Sequence, residues 1–193
     1  AESWGVDRSI ISHKYHPKTK SYGNSQVLQR DYFDQRQIEI VIREVGEQVA
    51  ARIRAHNLRS ACVNLFIGYA FGEADYGDHR GGFNVQKKIT PTNVSHDLVK
   101  VLLYLFRKNW QGQAVRCIGV NYSKLSPDCS LQLNILEDPE LQLKRYKLDH
   151  VVDQVRKKYC FSSIVKASSL MPGATAIQRS NLVGGHNGGN AYE

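Results

Sequence analysis

A strand that runs directly into a long amphipathic helix constrains the fold of this chain more than any other feature. Residues 20–32 (KSYGNSQVLQRDY) alternate with a period of two, which places Asn24 and Gln26 on one side and Ser25 on the other. Such alternation predicts a half-buried β-strand. The helix that follows at once is typical of a strand that comes first, and lies centrally, in a mixed α/β sheet.

The first helix is predicted from Asp34 to Asn57. Asp34 is a suitable N-cap, and Gln37 three residues later completes a capping box. Glu39 and Arg43 have the spacing of an exposed ion pair, and Asn57 can adopt the left-handed conformation that ends a helix. Apolar residues recur at helical spacing, and they are Ile38, Val41, Ile42, Val45, Val49 and Ile53.

Three further strands and a second helix follow. The strands are predicted over residues 60–71, 83–90 and 115–125, and the helix over residues 96–110, with Ser95 as its N-cap. The complete order is strand, helix, strand, strand, helix, strand. This order predicts an α+β fold of the split β-α-β, ferredoxin-like type, with four strands backed by two helices on one face.

The other face of this sheet is predicted to be open and polar, because only one face has enough apolar residues to pack against two helices. Its candidate residues, with Gly68 and Gly119 between them, are Asn24, Gln26, Asn64, Gln86, Lys88, Asn121 and Ser123. The assignment depends on register, since a shift of one residue moves every side chain of a strand to the opposite face.

Basic residues are concentrated in the middle of the chain. The formal net charge is +8, and between Asn84 and Lys124 there are seven basic residues and one acid. Acids cluster elsewhere, in the predicted loop that contains Glu73, Asp75 and Asp78. This segregation favours a polyanionic partner, most often nucleic acid, over an evenly solvated surface.

The four cysteines are scattered and form no CxxC pair, which argues against a disulfide scaffold or a zinc site and predicts a reducing, intracellular environment. His13 and His16 have no third metal ligand nearby, so residues 13–20 are interpreted as a solvated basic linker. The longest apolar run, residues 101–106, is too short to span a membrane.

The part of the chain after residue 125 is predicted to be less regular. Residues 131–136 (LQLNIL) are interpreted as an extended apolar segment. A short helix is predicted over residues 148–159, with Val151 on its buried side and Asp153 paired with Lys157. Residues 168–193 are rich in Gly, Ser and Asn and are predicted to be irregular or partly disordered.

Several of these segments together resemble the little finger domain of Y-family translesion DNA polymerases of the UmuC/DinB type, the ImpB/MucB/SamB family. Residues 20–32 resemble its opening strand, residues 115–125 (VRCIGVNYSKL) its last strand, and residues 83–90 its basic strand. Residues 148–185, with KASSL and TAIQRSNLVGGH, are similar to the C-terminal end of UmuC-like polymerases of Gram-positive bacteria. Residues 4–7 look like the end of the preceding thumb domain.

The resemblance implies a division of the chain and a parent enzyme. Residues 1–19 would be the linker from the thumb, 20–125 the little finger, 126–147 an extended segment with a clamp-binding-like motif, and 148–193 a short helix with an irregular tail. The parent would be a DNA-directed DNA polymerase of damage tolerance and the SOS response, cytoplasmic, acting on damaged primer–template DNA. Palm carboxylates in this family hold two magnesium ions, and nothing here resembles that palm. The fragment is therefore expected to bind rather than catalyse, with no catalytic residue, metal or cofactor of its own.

A grip on duplex DNA through the open sheet face is the main functional hypothesis. Basic side chains would contact phosphates and amide or hydroxyl groups would donate hydrogen bonds, which positions a duplex without reading its bases. Lys100, Arg107 and Lys108 on the second helix are interpreted as merely solvated. The candidate DNA-binding residues are Lys20, Asn24, Gln26, Arg30, Gln86, Lys87, Lys88, Arg116, Asn121, Ser123 and Lys124.

A second hypothesis concerns the bacterial sliding clamp. Gln132, Leu133, Ile135 and Leu136 lie in a segment that resembles the family's clamp-binding peptide, with Ile-Leu where Leu-Phe is commoner. Apolar side chains would enter pockets on the clamp while Gln132 fixes the orientation. The alternative to clamp binding is an ordinary edge strand that packs Leu131, Leu133 and Ile135 on its own domain.

Two other functions stay open on the sequence. The same strand order builds RNA-binding RRM domains, which need aromatic residues on the two central strands, and Phe83 lies near such a position without the full motif. A protein-interaction domain would show no salt-dependent affinity for DNA.

Overall fold

The computed structural model describes residues 20–70, 81–129 and 133–181. Its first six elements confirm the predicted order. They are β1 (Tyr22–Tyr32), α1 (Gln35–Ala55), β2 (Leu58–Tyr69), β3 (Gly82–Thr92), α2 (Ser95–Asn109) and β4 (Val115–Pro127). After them come α3 (Pro139–Tyr159), two 3₁₀ turns at Phe161–Ser163 and Ala167–Leu170, and α4 (Ala176–Ser180). Some predictions fall outside the described residues. They are those for residues 1–19, for the acidic residues Glu73, Asp75 and Asp78, and for Gln132.

The four strands form one sheet in the order β1-β4-β2-β3, and every neighbouring pair is antiparallel. The expectation that β1 is a central strand of a mixed sheet is therefore wrong, because β1 lies at the edge. β4 inserts between β1 and β2, which separates these two parallel strands and produces the split β-α-β arrangement. The predicted α+β class is confirmed.

Helices α1 and α2 cover one face of the sheet, and the core lies between the two layers. All six apolar residues predicted for the stripe of α1 are fully buried. Val63, Leu65 and Ile67 of β2 face them from the sheet, together with Tyr122 of β4. The Tyr122 hydroxyl donates a hydrogen bond of 3.1 Å to the carbonyl oxygen of Gly46, where α1 approaches the sheet without a side chain between them.

The capping box of α1 is not completed. The Asp34 carboxylate accepts a hydrogen bond of 2.8 Å from the Arg36 amide, as expected of an N-cap. The side chain of Gln37 accepts from Arg30 instead of returning to the cap. The helix ends as predicted, with Asn57 in the left-handed region at a φ of 52°.

Two polar predictions on the helices are wrong because tertiary partners replace local ones. Glu39 is buried and receives two hydrogen bonds of 2.7 Å from Arg107 of α2, so it does not depend on Arg43. Ser95 is the first residue of α2 rather than its cap, and its hydroxyl accepts a hydrogen bond from buried Arg54.

The third helix is longer than predicted. It begins at Pro139, with Asp138 as the N-cap, and runs for 21 residues. Val151 is 53% exposed rather than buried. Asp153 binds Arg54 of α1 at 2.6 Å and does not support Lys157 within the helix. This ion pair attaches α3 to the domain.

The segment after α3 packs along α1 and the edge strand β1. We call residues 164–181 the C-terminal strap. The Glu44 carboxylate accepts hydrogen bonds from the Thr175 and Ala176 amides at 2.9 and 3.0 Å. Tyr32 of β1 donates to the carbonyl oxygen of Gly173 at 3.1 Å. The described part of the predicted irregular tail is thus ordered on the helix side of the sheet.

Candidate nucleic-acid interface

The sheet face opposite α1 and α2 is identified from strand register, because directly paired residues in adjacent strands share a face. Leu65 and Val120 are paired and buried in the core, so Asn64 and Asn121, which are also paired, point the other way. We call this surface the open face. Its residues are Gly23, Ser25, Val27, Cys62, Asn64, Phe66, Gly68, Asn84, Gln86, Lys88, Cys117, Gly119, Asn121 and Ser123.

Four predicted DNA-binding residues lie on the open face, namely Gln86, Lys88, Asn121 and Ser123. Side-chain amides are the commonest polar groups on the open face. Asn64 donates a hydrogen bond of 2.8 Å to Asn84, and Asn121 donates one of 3.3 Å to Ser21. Lys88 is the only cation among the open-face residues, so the surface is richer in neutral hydrogen-bonding groups than in positive charge.

An aromatic residue that the site prediction omitted lies at the centre of this face. Phe66 is 39% exposed and lies over two glycines of the open face. A Cβ added to Gly119 would come within 3.4 Å of Phe66 and 3.5 Å of Ser25, and one added to Gly68 would come within 3.5 Å of the ring. The glycines leave room for Phe66 to lie flat across the sheet. The alternation of β2 placed Phe66 on this side, and its exposure depends on those small neighbours.

The placement of Asn24 and Gln26 on the open face is wrong. Their partners in β4 are Val120 and Ile118, which belong to the core, so both amides lie on the helix side. Asn24 donates to Gln48 of α1 at 2.8 Å. Gln26 accepts hydrogen bonds from the strap, at 3.0 Å from Thr175 and at 3.1 Å from Arg179.

Lys87 and Arg30 also turn toward the helix side. Lys87 pairs with Val63 of the core, and its Nζ lies 4.2 Å from the centroid of the Tyr104 ring on α2. Arg30 donates to Gln37 of α1 at 2.9 Å. Neither side chain can therefore contribute to a contact made by the open face itself.

Lys20, Arg116 and Lys124 are exposed but do not belong to the regular part of the ladder. Arg116 lies where the register of β4 shifts against both of its neighbours, and it forms an ion pair of 3.2 Å with Asp31. Exposed ion pairs contribute about 0–1 kcal/mol, so a phosphate could displace Asp31. Lys124 has a φ of 54°, which breaks the strand geometry.

The aromatic requirement of an RRM-type surface is not met by the described strands. Phe83 lies on the helix side, edge-on to Tyr69 at 6.3 Å, and is not available for stacking. Phe66 lies on central strand β2, but the open-face residues of the other central strand, β4, are cysteine, glycine, asparagine and serine. Bases stack on such sheets through aromatic residues of both central strands.

The described part of the predicted clamp-binding segment, residues 133–136, forms a turn before α3. Ile135 is 98% exposed and Leu136 is 92% exposed. Asn134 and Gln142 fix the turn, since the Asn134 amide donates to the Gln142 side chain at 2.7 Å and the Leu136 amide donates to the Asn134 side chain at 3.0 Å. The alternative of a packed edge strand is wrong for Ile135. Leu133 is only 36% exposed and lines a small pocket beside α2.

The part of the chain that the structure describes contains neither a metal-binding group of side chains nor a membrane-spanning helix. Within it, no group of three or more His, Cys, Asp or Glu side chains could hold a metal ion. None of the helices in residues 20–70, 81–129 and 133–181 is both long and apolar enough to cross a membrane.

Comparison with known proteins identifies the family. Residues 19–135 match the model of the "impB/mucB/samB family C-terminal domain". Over 94% of its length the chain is 39% identical to the "Putative UV-damage repair protein UvrX" of Bacillus subtilis (strain 168) and 34% identical to "DNA polymerase IV 2" of the same organism. It covers 42% and 43% of these two relatives, so it spans about two-fifths of their length.

A solved structure, "Complex of beta-clamp processivity factor and little finger domain of PolIV", matches 61% of this chain and 100% of that chain. The TM-score is 0.44 and the identity is 16%, and a likeness at this level supports no conclusion about partners.

The fold and the relatives define the class: this is a little finger domain of the kind found in Y-family DNA polymerases that act in DNA repair. More specifically, the chain belongs to the impB/mucB/samB family, and residues 19–135 correspond to that family's C-terminal domain.

Proposed function

We propose that the open face holds duplex DNA by hydrogen bonds and phosphate contacts that do not read the base sequence. The observation that carries the proposal is that the described strap packs against α1 and β1 on the helix side, while Gln86 and Lys88 stay exposed on the open face. Amide and hydroxyl donors suit phosphate oxygens, which position a duplex without specifying it. A polymerase that copies damaged templates needs a grip of this kind.

The salt dependence of duplex affinity tests this proposal. Lys88, with Arg116 and Lys124 as exposed flanking cations, would make three phosphate contacts. Three contacts imply a log–log slope of about −2.7 for binding against salt concentration. A random-sequence duplex and a second duplex of different sequence should give the same slope. A flat response, or a strong preference for one sequence, would contradict the proposal.

We also propose that the segment with Ile135 and Leu136 binds the bacterial sliding clamp. Two adjacent aliphatic side chains that are almost fully exposed have no packing role in the described domain. Burying each on a partner would contribute about 1.5–3 kcal/mol. Leu133 is less exposed, at 36%, and lines a small pocket, so we propose that it helps to hold the segment in place.

Replacing Ile135 and Leu136 by alanine together tests the clamp proposal. We expect at least about a hundredfold loss of affinity for the sliding clamp, measured by surface plasmon resonance, since about 1.4 kcal/mol corresponds to each factor of ten. Leu170→Ala is the matched control, because Leu170 is 72% exposed on the strap. Equal affinities for the wild type and the double variant would exclude this segment as the contact.

The activity of the parent protein is a further part of the proposal. By family, it would be an error-prone translesion polymerase of the SOS response that works on damaged primer–template DNA in the cytoplasm. Two magnesium ions would supply the electrostatic stabilisation of nucleotidyl transfer there. The described residues do not bring together carboxylates that fit these ions.

A further inference from the structure

Helix α3 carries its charges on two different sides. Asp149 and Asp153 turn inward to Arg54, whose side chain is 4% exposed. The Arg54 guanidinium binds both carboxylates, at 3.4 and 2.6 Å, and also donates to the Asn93 carbonyl oxygen at 2.8 Å. The acids of the helix are therefore largely used to attach it to the domain.

The lysines of α3 turn outward. Lys144, Lys147, Lys157 and Lys158 are all exposed, and among the described residues none of them forms an ion pair. Glu140, in the first turn, is the only acid on α3 that is exposed. The exposed surface of this helix is thus strongly cationic, although the sequence of the helix mixes both signs.

Lys144, Lys147 and Lys158 lie at the two ends of one stripe. Lys144 and Lys147 are followed at helical spacing by Leu148, Val151 and then Lys158. Leu148 is 60% exposed and Val151 is 53% exposed. With a rise of 1.5 Å per residue, Lys158 is about 17 Å from Lys147 and about 21 Å from Lys144 along the helix axis. That separation allows contacts with phosphates on both sides of a major groove about 12 Å wide, or with successive phosphates of a single strand.

We infer that the exposed stripe of α3 is a second DNA-binding surface, which contacts the phosphodiester backbone independently of the open face. This inference extends the proposed function, since it takes DNA as the partner. The charge of the stripe selects a polyanion, and the two exposed aliphatic residues between the lysines would lie against sugars and bases. The stripe begins beyond residue 135, where the match to the family's C-terminal domain ends.

The test compares two double variants of the 193-residue chain with equal changes in net charge. Lys144→Gln with Lys147→Gln removes one end of the stripe, and Lys100→Gln with Lys108→Gln removes two exposed lysines of α2 as the control. Glutamine and lysine have similar helix propensities, and thermal unfolding followed by circular dichroism checks that both variants fold. Affinity is measured against salt for a 20-base-pair duplex and for a 20-nucleotide oligothymidine.

If both lysines contact phosphates, the stripe variant makes the log–log slope shallower by about 1.8 on the duplex or about 1.4 on the single strand, and the control changes it by less than half as much. The DNA whose slope changes, the duplex or the single strand, is the form that α3 binds. Equal effects of the two variants, or no effect on either DNA, would overturn the inference; the second result would leave an acidic protein as the partner.

A third variant separates the failure of this inference from failure of the open-face proposal. Lys88→Gln lies on the open face and leaves α3 untouched. A response to Lys88→Gln without a response to the stripe variant would retain the grip of the open face and refute the role of α3. The reverse result would support the stripe and refute the open face.

Discussion

Lys87 and Lys88 are adjacent in sequence and point to opposite faces of the sheet, which gives a direct test of where DNA binds. Lys88 pairs with Cys62 on the open face, and Lys87 pairs with Val63 of the core and extends over Tyr104. We expect Lys88→Gln to weaken duplex binding and Lys87→Gln to leave it almost unchanged. Both variants remove one positive charge from the same strand, so long-range electrostatic effects are matched.

The magnitude follows from counterion release. One lost phosphate contact makes the log–log slope shallower by about 0.9, which corresponds to roughly an eightfold loss of affinity at 0.1 M salt relative to a 1 M reference. Lys87→Gln should instead lose the contact with the ring, worth about 0.5–1 kcal/mol of stability at an exposed site. Fluorescence anisotropy with a labelled duplex between 0.05 and about 0.3 M salt measures the slopes.

The reasoning would be refuted if Lys87→Gln changed the slope as much as Lys88→Gln. Duplex DNA would then not distinguish the two faces, and the binding would be a property of the edge strand as a whole. Urea unfolding of both variants is the control. A large loss of stability in Lys88→Gln would account for weaker binding without any contact between Lys88 and DNA. It would therefore also count against the assignment of Lys88 to the DNA-binding surface.

Three further predictions concern stability. Gly46→Ala should lower the free energy of unfolding in urea by about 1–3 kcal/mol, because its Cβ would lie 2.6 Å from a side chain of α2; an unchanged midpoint would contradict the close packing. The hydrogen bond from Arg107 lowers the pKa of Glu39, so this pair stabilises the fold at neutral pH, and the stabilisation is lost as the pH falls below 4.5. Glu39→Gln should therefore be less stable than the wild type at pH 7 and equally stable in acid. A difference in stability that persists in acid would exclude this cause. Arg54→Met leaves Asp153 without its buried partner and should cost about 3 kcal/mol, with faster amide hydrogen exchange in α3; unaltered exchange there would show that the helix is held by other contacts.

The error at Asn24 and Gln26 shows what alternation in a strand leaves undecided. In β2, one alternating set is Val63, Leu65 and Ile67, so its buried side could be predicted. In β1 the set with Asn24 and Gln26 also contains Leu28 and Tyr32, which belong to the core, but polar residues lie between them and the period of two does not by itself say which set faces the helices. Leu28 and Tyr32 hold this set against the core, and Gln48 and the strap supply hydrogen-bond partners for the two amides on the helix side.

The start of α3 could have been predicted, whereas its attachment could not. Asp138 followed by Pro139 is a typical N-cap and first-turn pair, so the helix signal was present in the sequence. Nothing local indicates that Asp153 pairs with Arg54, a residue 99 positions earlier. The exposure of Ile135 and Leu136 also depends on how that attached helix places the turn before it.

The order of six elements, the apolar stripes of α1 and α2 and the central basic region were determined by the sequence alone, because periodicity and charge are properties of neighbouring residues. The family followed from motifs along the same chain. Only the tertiary structure decided that β1 lies at the edge, that Asn24 and Gln26 face the helices, and that the acids of α3 point inward while its lysines face solvent. These features depend on contacts between residues far apart in the chain, which periodicity and the charges of neighbouring residues do not specify.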